Sequence, residues 1–247
     1  MKIAAAQTIP KDGDIAANFA DHIRLASLTA EHGAQLIVFP EMSLTGYQME
    51  GATEHSFSQD DERLASLKKL SAEHNIVIIA GAPVQIGGHL YIGAFVLSPD
   101  NTTAVYTKQF LHEGEEKFFR SSFDHDPLIM IGTDKVSTAI CADITNPLHA
   151  ENASKRGSDL YAAGIFFTPD VPVKAHTILS AYAKQHFMNV LMANYGGPSW
   201  GLVAGGCSGF WTSTGELVGA LDNAGEGLLI ATNKNCNWSV AILKTQE

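Results

Sequence analysis

Three reactive side chains stand where apolar runs of strand length stop. "AQLIVFPE" delivers Glu41 after a run of apolar residues and Pro40, "TTAVYTK" delivers Lys108, and "KVSTAIC" delivers Cys141. In parallel α/β sheets, functional groups gather at the carboxyl ends of strands. A carboxylate, an amine and a thiol are a sufficient kit for covalent acyl transfer. A thiol near its reference pKa is mostly protonated at neutral pH, so attack on a carbonyl needs a base or a cation beside it. A carboxylate partly shielded from water can take the thiol proton and later return it to a leaving amine. The oxyanion that attack creates can be held by an ammonium and by the backbone N–H after the nucleophile. Taken singly, each residue has a plainer use. Cys141 is the kind of small thiol that cores bury, Glu41 can cap the turn after Pro40, and Lys108 can be a solvated charge at a strand end. The chemical reading rests on the three together.

The elements that must position them follow from the pattern of apolar residues. Runs such as "KIAAAQ", "NIVIIAGA", "LYIGAFVLS", "DLYAAGIFF", "NVLMAN", "CSGFWTS" and "EGLLIAT" have strand length, and several are apolar on both faces, as strands covered on both sides must be. Residues 15–32 place Phe19, Ile23 and Ala26 on one helical stripe. Residues 60–74 do the same with Leu64, Leu67 and Leu70 behind an acidic first turn, and residues 173–187 form a third helix candidate. Strands alternating with helices predict an α/β fold. The order strand, helix, strand, helix, strand recurs after residue 135, which predicts two similar halves packed as sheets. "IGGH" supplies hairpin turn chemistry between them. No linker or low-complexity segment divides the chain, so one domain is expected over residues 1–247.

Composition narrows the function. The 247 residues are 45% hydrophobic and 17% charged, with a formal net charge of -10. An acidic surface repels phosphate backbones, which argues against a nucleic-acid partner. No stretch approaches the ~20 apolar residues of a membrane span, and the opening "MKIAAAQTIPKDGD" reads as a strand rather than a signal peptide. The three cysteines, at 141, 207 and 236, are odd in number and form no CxxC. That disfavours a disulfide scaffold and suits a reducing, cytoplasmic setting. His112, His125, His149, His176 and His186 are scattered, without HExxH or a helical pair, so neither a metal nor another cofactor is expected. "GLVAGGCSG" reads as a turn into a strand rather than a phosphate cradle. Trp200 and Trp211 read as core or interface aromatics.

Three segments together resemble the nitrilase-type carbon–nitrogen hydrolases. "FPEMSLTGY" is similar to their glutamate motif, "YTKQFLHEGEEKFF" to their lysine motif and "AICADITNP" to their cysteine motif, in the family's order. The resemblance extends over "KIAAAQT" and "NYGGPSWGLVAGGCSGFWTSTGELVG", nearly the whole chain. It implies a four-layer α-β-β-α sandwich, commonly as a homodimer. It also implies that Glu41 is general base and acid, that Lys108 stabilises the tetrahedral intermediate, and that Cys141 forms a thioester acyl-enzyme. A second catalytic glutamate follows the lysine in the family; matching "EEKFF" favours Glu116, with Glu115 the second choice and Glu113 a solvated charge.

The backbone N–H of Ala142 is the expected second oxyanion donor, and Asp143 a structural acid bracing the turn. Tyr47, Glu115 and Asn194 are candidates for the substrate pocket, with Phe119 a further wall. Relatives that cleave N-carbamoyl amino acids carry arginines where this chain has Ile144, Thr145 and Asn146, and a threonine cannot grip a carboxylate bidentately. A carboxylate-recognising carbamoylase is therefore disfavoured. The expected activity is hydrolysis of the C–N bond of a small amide. The alternatives are an N-carbamoyl amine hydrolase, a nitrilase, an acyl transferase of the same family, or a binding subunit without turnover.

Overall fold

In the computed structural model the structure describes residues 1–170 and 172–245. The first half runs β1 (Lys2–Gln7), α1 (Ile15–Glu31), β2 (Leu36–Val38), α2 (Ala65–His74), β3 (Val77–Ile86), β4 (His89–Leu97) and β5 (Thr103–Thr107). The second runs β6 (Ile129–Ile131), β7 (Asp134–Ile140), α3 (Pro147–Lys155), β8 (Leu160–Gly164), α4 (Pro172–His186), β9 (Asn189–Ala193), β10 (Gly209–Trp211) and β11 (Leu217–Ala220). A closing hairpin, β12 (Gly227–Lys234) and β13 (Asn237–Lys244), returns to the first half.

Two sheets result, a seven-stranded one ordered β13-β12-β1-β2-β3-β4-β5 and a six-stranded one ordered β11-β10-β9-β8-β7-β6. Each has a parallel centre, β1-β2-β3 in one and β7-β8-β9 in the other, so the expected recurrence of strand and helix is real. Side chains alternate across the pleat. Ile3, Ala5, Leu36, Val38 and Ile79 face the interior shared with the second sheet. Ala4, Ala6, Ile37 and Ile78 pack outward with Phe19 and Leu25 of α1 and Leu67 and Leu70 of α2. Helices α3 and α4 join the other sheet through Ala150, Ala153, Leu179 and Ala183. The layers are therefore helix, sheet, sheet, helix. Thr8 and Tyr195 form a parallel bridge between the sheets.

Local chemistry sets the element ends. Asp14 Oδ1 accepts the Ala17 N–H, capping α1. The buried face of α1 is Asn18, Phe19, His22, Leu25, Ala26 and Thr29, with Ile23 only half-buried, so the stripe is rotated from the expected one and takes in a histidine. Helix α2 begins with a 3-10 turn at Glu62–Leu64. Gly87 and Gly88 take φ of 56° and 79° and close the β3–β4 hairpin with the mirror-image turn that suits strand twist. Two reversals, β3 to β4 and β4 to β5, leave β5 parallel to β2. The carboxyl ends of β2 and β5 consequently open at the same end of the sandwich.

Candidate active site

Glu41 lies three residues beyond the end of β2, in a loop that the fold accommodates only because two glycines face it. A Cβ on Gly81 of β3 would sit 2.4 Å from the Met42 nitrogen and 2.5 Å from the Pro40 oxygen; one on Gly164 of β8 would sit 2.5 Å from the Phe39 oxygen. The Tyr195 hydroxyl donates to the Glu41 carbonyl at 2.6 Å. Behind the loop, buried His22 stacks on Phe39 with ring centres 4.0 Å apart, and its Nδ1 donates to the Asn18 carbonyl at 2.7 Å. Its Nε2 then accepts from the Ser43 hydroxyl at 2.9 Å. Burial lowers the His22 pKa to about 4, so the ring is neutral at physiological pH.

Lys108 follows β5 directly and is buried with both its partners. Its Nζ lies 2.7 Å from Glu41 Oε1 and 2.8 Å from Glu115 Oε1. Glu115 opens a 3-10 turn, Glu115–Lys117, that aims it inward. Its Oε1 also accepts the Tyr47 hydroxyl at 2.6 Å, and its Oε2 accepts the His112 N–H at 2.8 Å. Among the described residues Glu41 Oε2 has no hydrogen-bond partner. A buried carboxylate oxygen left so is open to a reacting group.

Cys141 follows β7 and starts a 3-10 turn, Cys141–Thr145, at φ 43°. A non-glycine residue held at positive φ carries strain of about 1–3 kcal/mol, which the surroundings must impose. They do so largely through buried Asp143. Its Oδ1 accepts the N–H groups of Gln109 and Phe110 at 3.0 and 2.8 Å. Its Oδ2 accepts the Ile140 N–H at 2.9 Å and the Tyr106 hydroxyl at 2.6 Å. One carboxylate thus ties the segment after Lys108 to the residue before Cys141, across the two sheets. This is the bracing part the sequence suggested for it. Tyr106 gives its proton to Asp143, so buried His149 donates from Nε2 to the Tyr106 oxygen at 2.8 Å and accepts from Tyr161 at Nδ1, 2.7 Å away. Burial holds the His149 pKa below its ordinary value, in keeping with that neutral tautomer.

The charges arrange themselves around the ammonium. Burial pushes the Glu41 carboxyl up to about 7 against the lowering pull of Lys108. Burial alone would lower Lys108, but Glu41, Cys141 and Glu115 outweigh it and hold the amine above its ordinary range, always charged. Burial, with Glu41 beside it, pushes the Cys141 thiol well up, while Lys108 opposes. The resting site is a neutral thiol next to a carboxylate whose proton affinity matches neutral pH. A carboxyl tuned in this way can take a thiol proton as the sulfur bonds to a carbonyl carbon.

Cys141 opens into a cavity of about 620 Å3 walled by Tyr47, Met49, Phe166, Phe167, Trp200 and Leu202, with Thr145, Glu50, Glu113 and Lys117 also lining it. The family pattern for carbon-nitrogen hydrolases matches residues 2–235. The chain belongs to the carbon–nitrogen hydrolase family. It is similar in structure to the amidase from Nesterenkonia sp. AN1, at 25% identity and a TM-score of 0.85 over 95% of this chain and 93% of that one. A cysteine-to-alanine variant of the same amidase, in complex with butyramide, matches at 25% identity and a TM-score of 0.85 over 93% and 89% of the two chains. In sequence the chain is 28% identical over 166 residues to a nitrilase from Pyrococcus abyssi, covering 66% of this chain and 63% of the nitrilase. It is 25% identical over 228 residues to a glutamine-dependent NAD(+) synthetase from Thermotoga maritima, covering 88% of this chain and 39% of the synthetase. The matched part therefore spans less than two thirds of either curated relative.

The fold brings Glu41, Lys108, Cys141, Tyr47 and Glu115 together, and it separates others that the motifs had grouped with them. Glu116 is exposed, and its carboxylate accepts the Gly114 N–H at 2.7 Å instead of meeting Lys108. The second acid against the lysine is Glu115. Asn194 is buried away from the cavity wall, where its Oδ1 accepts the N–H groups of Phe167 and Tyr195 at 3.1 and 2.9 Å and its Nδ2 donates to Gly206. Phe119 is buried in the core, and Phe118 lines the cavity in its place. Trp200 lines the cavity too, whereas Trp211 is a core residue. Sequence reading gave no sign of Gly81, Gly164 or Tyr195, because their task is to admit and clamp backbone rather than to react. Among the described residues no cluster of metal-ligating side chains forms, and no helix is long and apolar enough to cross a membrane.

Proposed function

We propose that this chain hydrolyses the C–N bond of a small neutral amide through a thioester on Cys141, releasing ammonia or an amine. The observation that carries the reading is the buried Lys108 ammonium held by Glu41 and Glu115 beside Cys141, whose side chain lines the cavity. The likeness to an amidase whose variant binds butyramide supports the amide over other C–N bonds. In the first step Glu41 takes the thiol proton as Sγ bonds to the amide carbon, and the carbonyl electron pair moves onto oxygen. Lys108 has three N–H donors and spends two on carboxylates. The third, with the Ala142 N–H in the first turn of its helix where such groups lack an intrahelical acceptor, receives the oxyanion. Glu41 returns the proton to nitrogen, the C–N bond breaks, and the amine leaves. Water then gives a proton to Glu41, attacks the thioester, and releases the acid with the thiol restored.

The direct test is a screen of small amides, ureides and nitriles for ammonia release by the wild-type chain. Release from amides alone supports the reading; release from nitriles but not amides contradicts it.

Two further outcomes are expected. Only ionised Glu41 accepts the thiol proton, so kcat/KM should fall about tenfold per pH unit below about 7 and level off above it. Lys108, held above its ordinary range, adds no descending limb near neutrality. A profile flat between about pH 5 and 8 would rule out Glu41 as the base. Glu115→Gln should lower kcat by about 100-fold and move that limb to lower pH, since it removes a like charge that raises Glu41. Glu116→Gln, on the surface, should stay within about twofold of wild type. Comparable small effects from both would remove Glu115 from the machinery.

A further inference from the structure

The geometry points to a neutral amide whose acyl group is aryl-bearing or a long apolar chain, selected by a wall that Trp200 forms and Asp12 holds in place. The inference rests on the amide reading above and adds the substrate class. A cavity of about 620 Å3 is far larger than an acyl group of two to four carbons needs; pockets of roughly 300–1,000 Å3 enclose ligands of drug size. Its buried floor is Tyr47, Met49, Phe166 and Phe167, all apolar or aromatic.

Charge at the lining does not favour an anion. Among the described residues it carries Glu50, Glu113 and one lysine, Lys117, and no arginine. Glu50 is already engaged by the Trp200 indole N–H at 2.8 Å.

The wall is built rather than incidental. Asp12, far away in sequence, accepts the Trp200 backbone N–H at 2.7 Å through Oδ2 and the Ser199 hydroxyl at 2.5 Å through Oδ1. The same Ser199 oxygen accepts the Tyr47 N–H at 2.8 Å, so wall and floor share one anchor. Trp200 is held at φ 49° and meets Tyr47 edge-on with ring centres 5.9 Å apart. A side chain fixed in this way presents its surface to a ligand without an ordering cost on binding.

The experiment measures kcat/KM for acetamide, propionamide, butyramide, hexanamide and 3-phenylpropionamide on the wild-type chain, Trp200→Ala and Asp12→Asn. Each methylene buried is worth about fourfold, so kcat/KM should climb along the series and be highest for hexanamide or the phenyl amide. The ratio of 3-phenylpropionamide to propionamide should fall at least about tenfold in Trp200→Ala and by a smaller factor in Asp12→Asn. Because the ratio is taken within one preparation, it does not depend on how much of a variant is folded. Propionamide or acetamide as the best substrate overturns the size class and leaves amide hydrolysis standing. An unchanged ratio in Trp200→Ala overturns the role of the wall. No ammonia from any of the amides overturns the amide reading itself.

Discussion

Cys141→Ala should lose at least about 10,000-fold in kcat, with the amide still bound, because the thioester needs the thiol that opens into the cavity. The structural cost should be small. The side chain loses one atom at a cavity wall, and Asp143 continues to hold the turn through the Ile140 N–H and the lysine segment. Melting within about 1 kcal/mol of wild type, measured by urea titration, would show that the loss is chemical rather than a loss of fold. Cys141→Ser should fare little better, because a serine hydroxyl is a far weaker acid than a thiol and a carboxyl with a pKa of about 7 is a poor base for it.

Lys108→Met should be damaged in both activity and stability. It leaves Glu41 and Glu115 buried without the ammonium between them. Removing one partner of a buried ionic group typically costs about 3–5 kcal/mol. The cost should depend on pH in a definite direction. Without Lys108 the Glu41 carboxyl rises further above its ordinary value, since the group that lowered it is gone. A folded-state pKa above the unfolded one means the folded form holds its proton more tightly. Stability is then retained in acid and lost as pH rises through the folded pKa. Lys108→Met should therefore melt closer to wild type at about pH 5 than at about pH 8. Loss of the oxyanion donor should cost a further factor of about 100–1,000 in kcat. A stability change under about 1 kcal/mol at pH 8 would mean that water screens Glu41, Lys108 and Glu115, contrary to their burial.

Glu41, Lys108 and Cys141 were legible because each ends an apolar run, and strand ends converge in this architecture whatever the details of packing. The choice between Glu115 and Glu116 was not legible, since adjacent residues in a 3-10 turn point in different directions and only the turn's placement selects one. Gly114, at φ 97°, fixes that placement. Trp200 reads in sequence as a core or interface aromatic because the anchor that turns it into a cavity wall is Asp12, 188 residues away. Strand β13 went unread for another reason. Its side chains are all exposed or half-buried, and its hairpin turns on Asn235 and Cys236 at φ 52° and 64° rather than on a glycine. A cysteine in that conformation gives no turn signal in sequence. His22 hides similarly in an apolar stripe, where a stacked Phe39 and two hydrogen bonds replace the apolar contact.

The most direct measurement of the central claim is intact and peptide mass on protein quenched in acid during amide turnover. A thioester on Cys141 predicts an added mass equal to the amide less ammonia, confined to the peptide carrying Cys141 and absent from Cys141→Ala. Sustained ammonia release by Cys141→Ala, or an acyl group found on another residue, would contradict it.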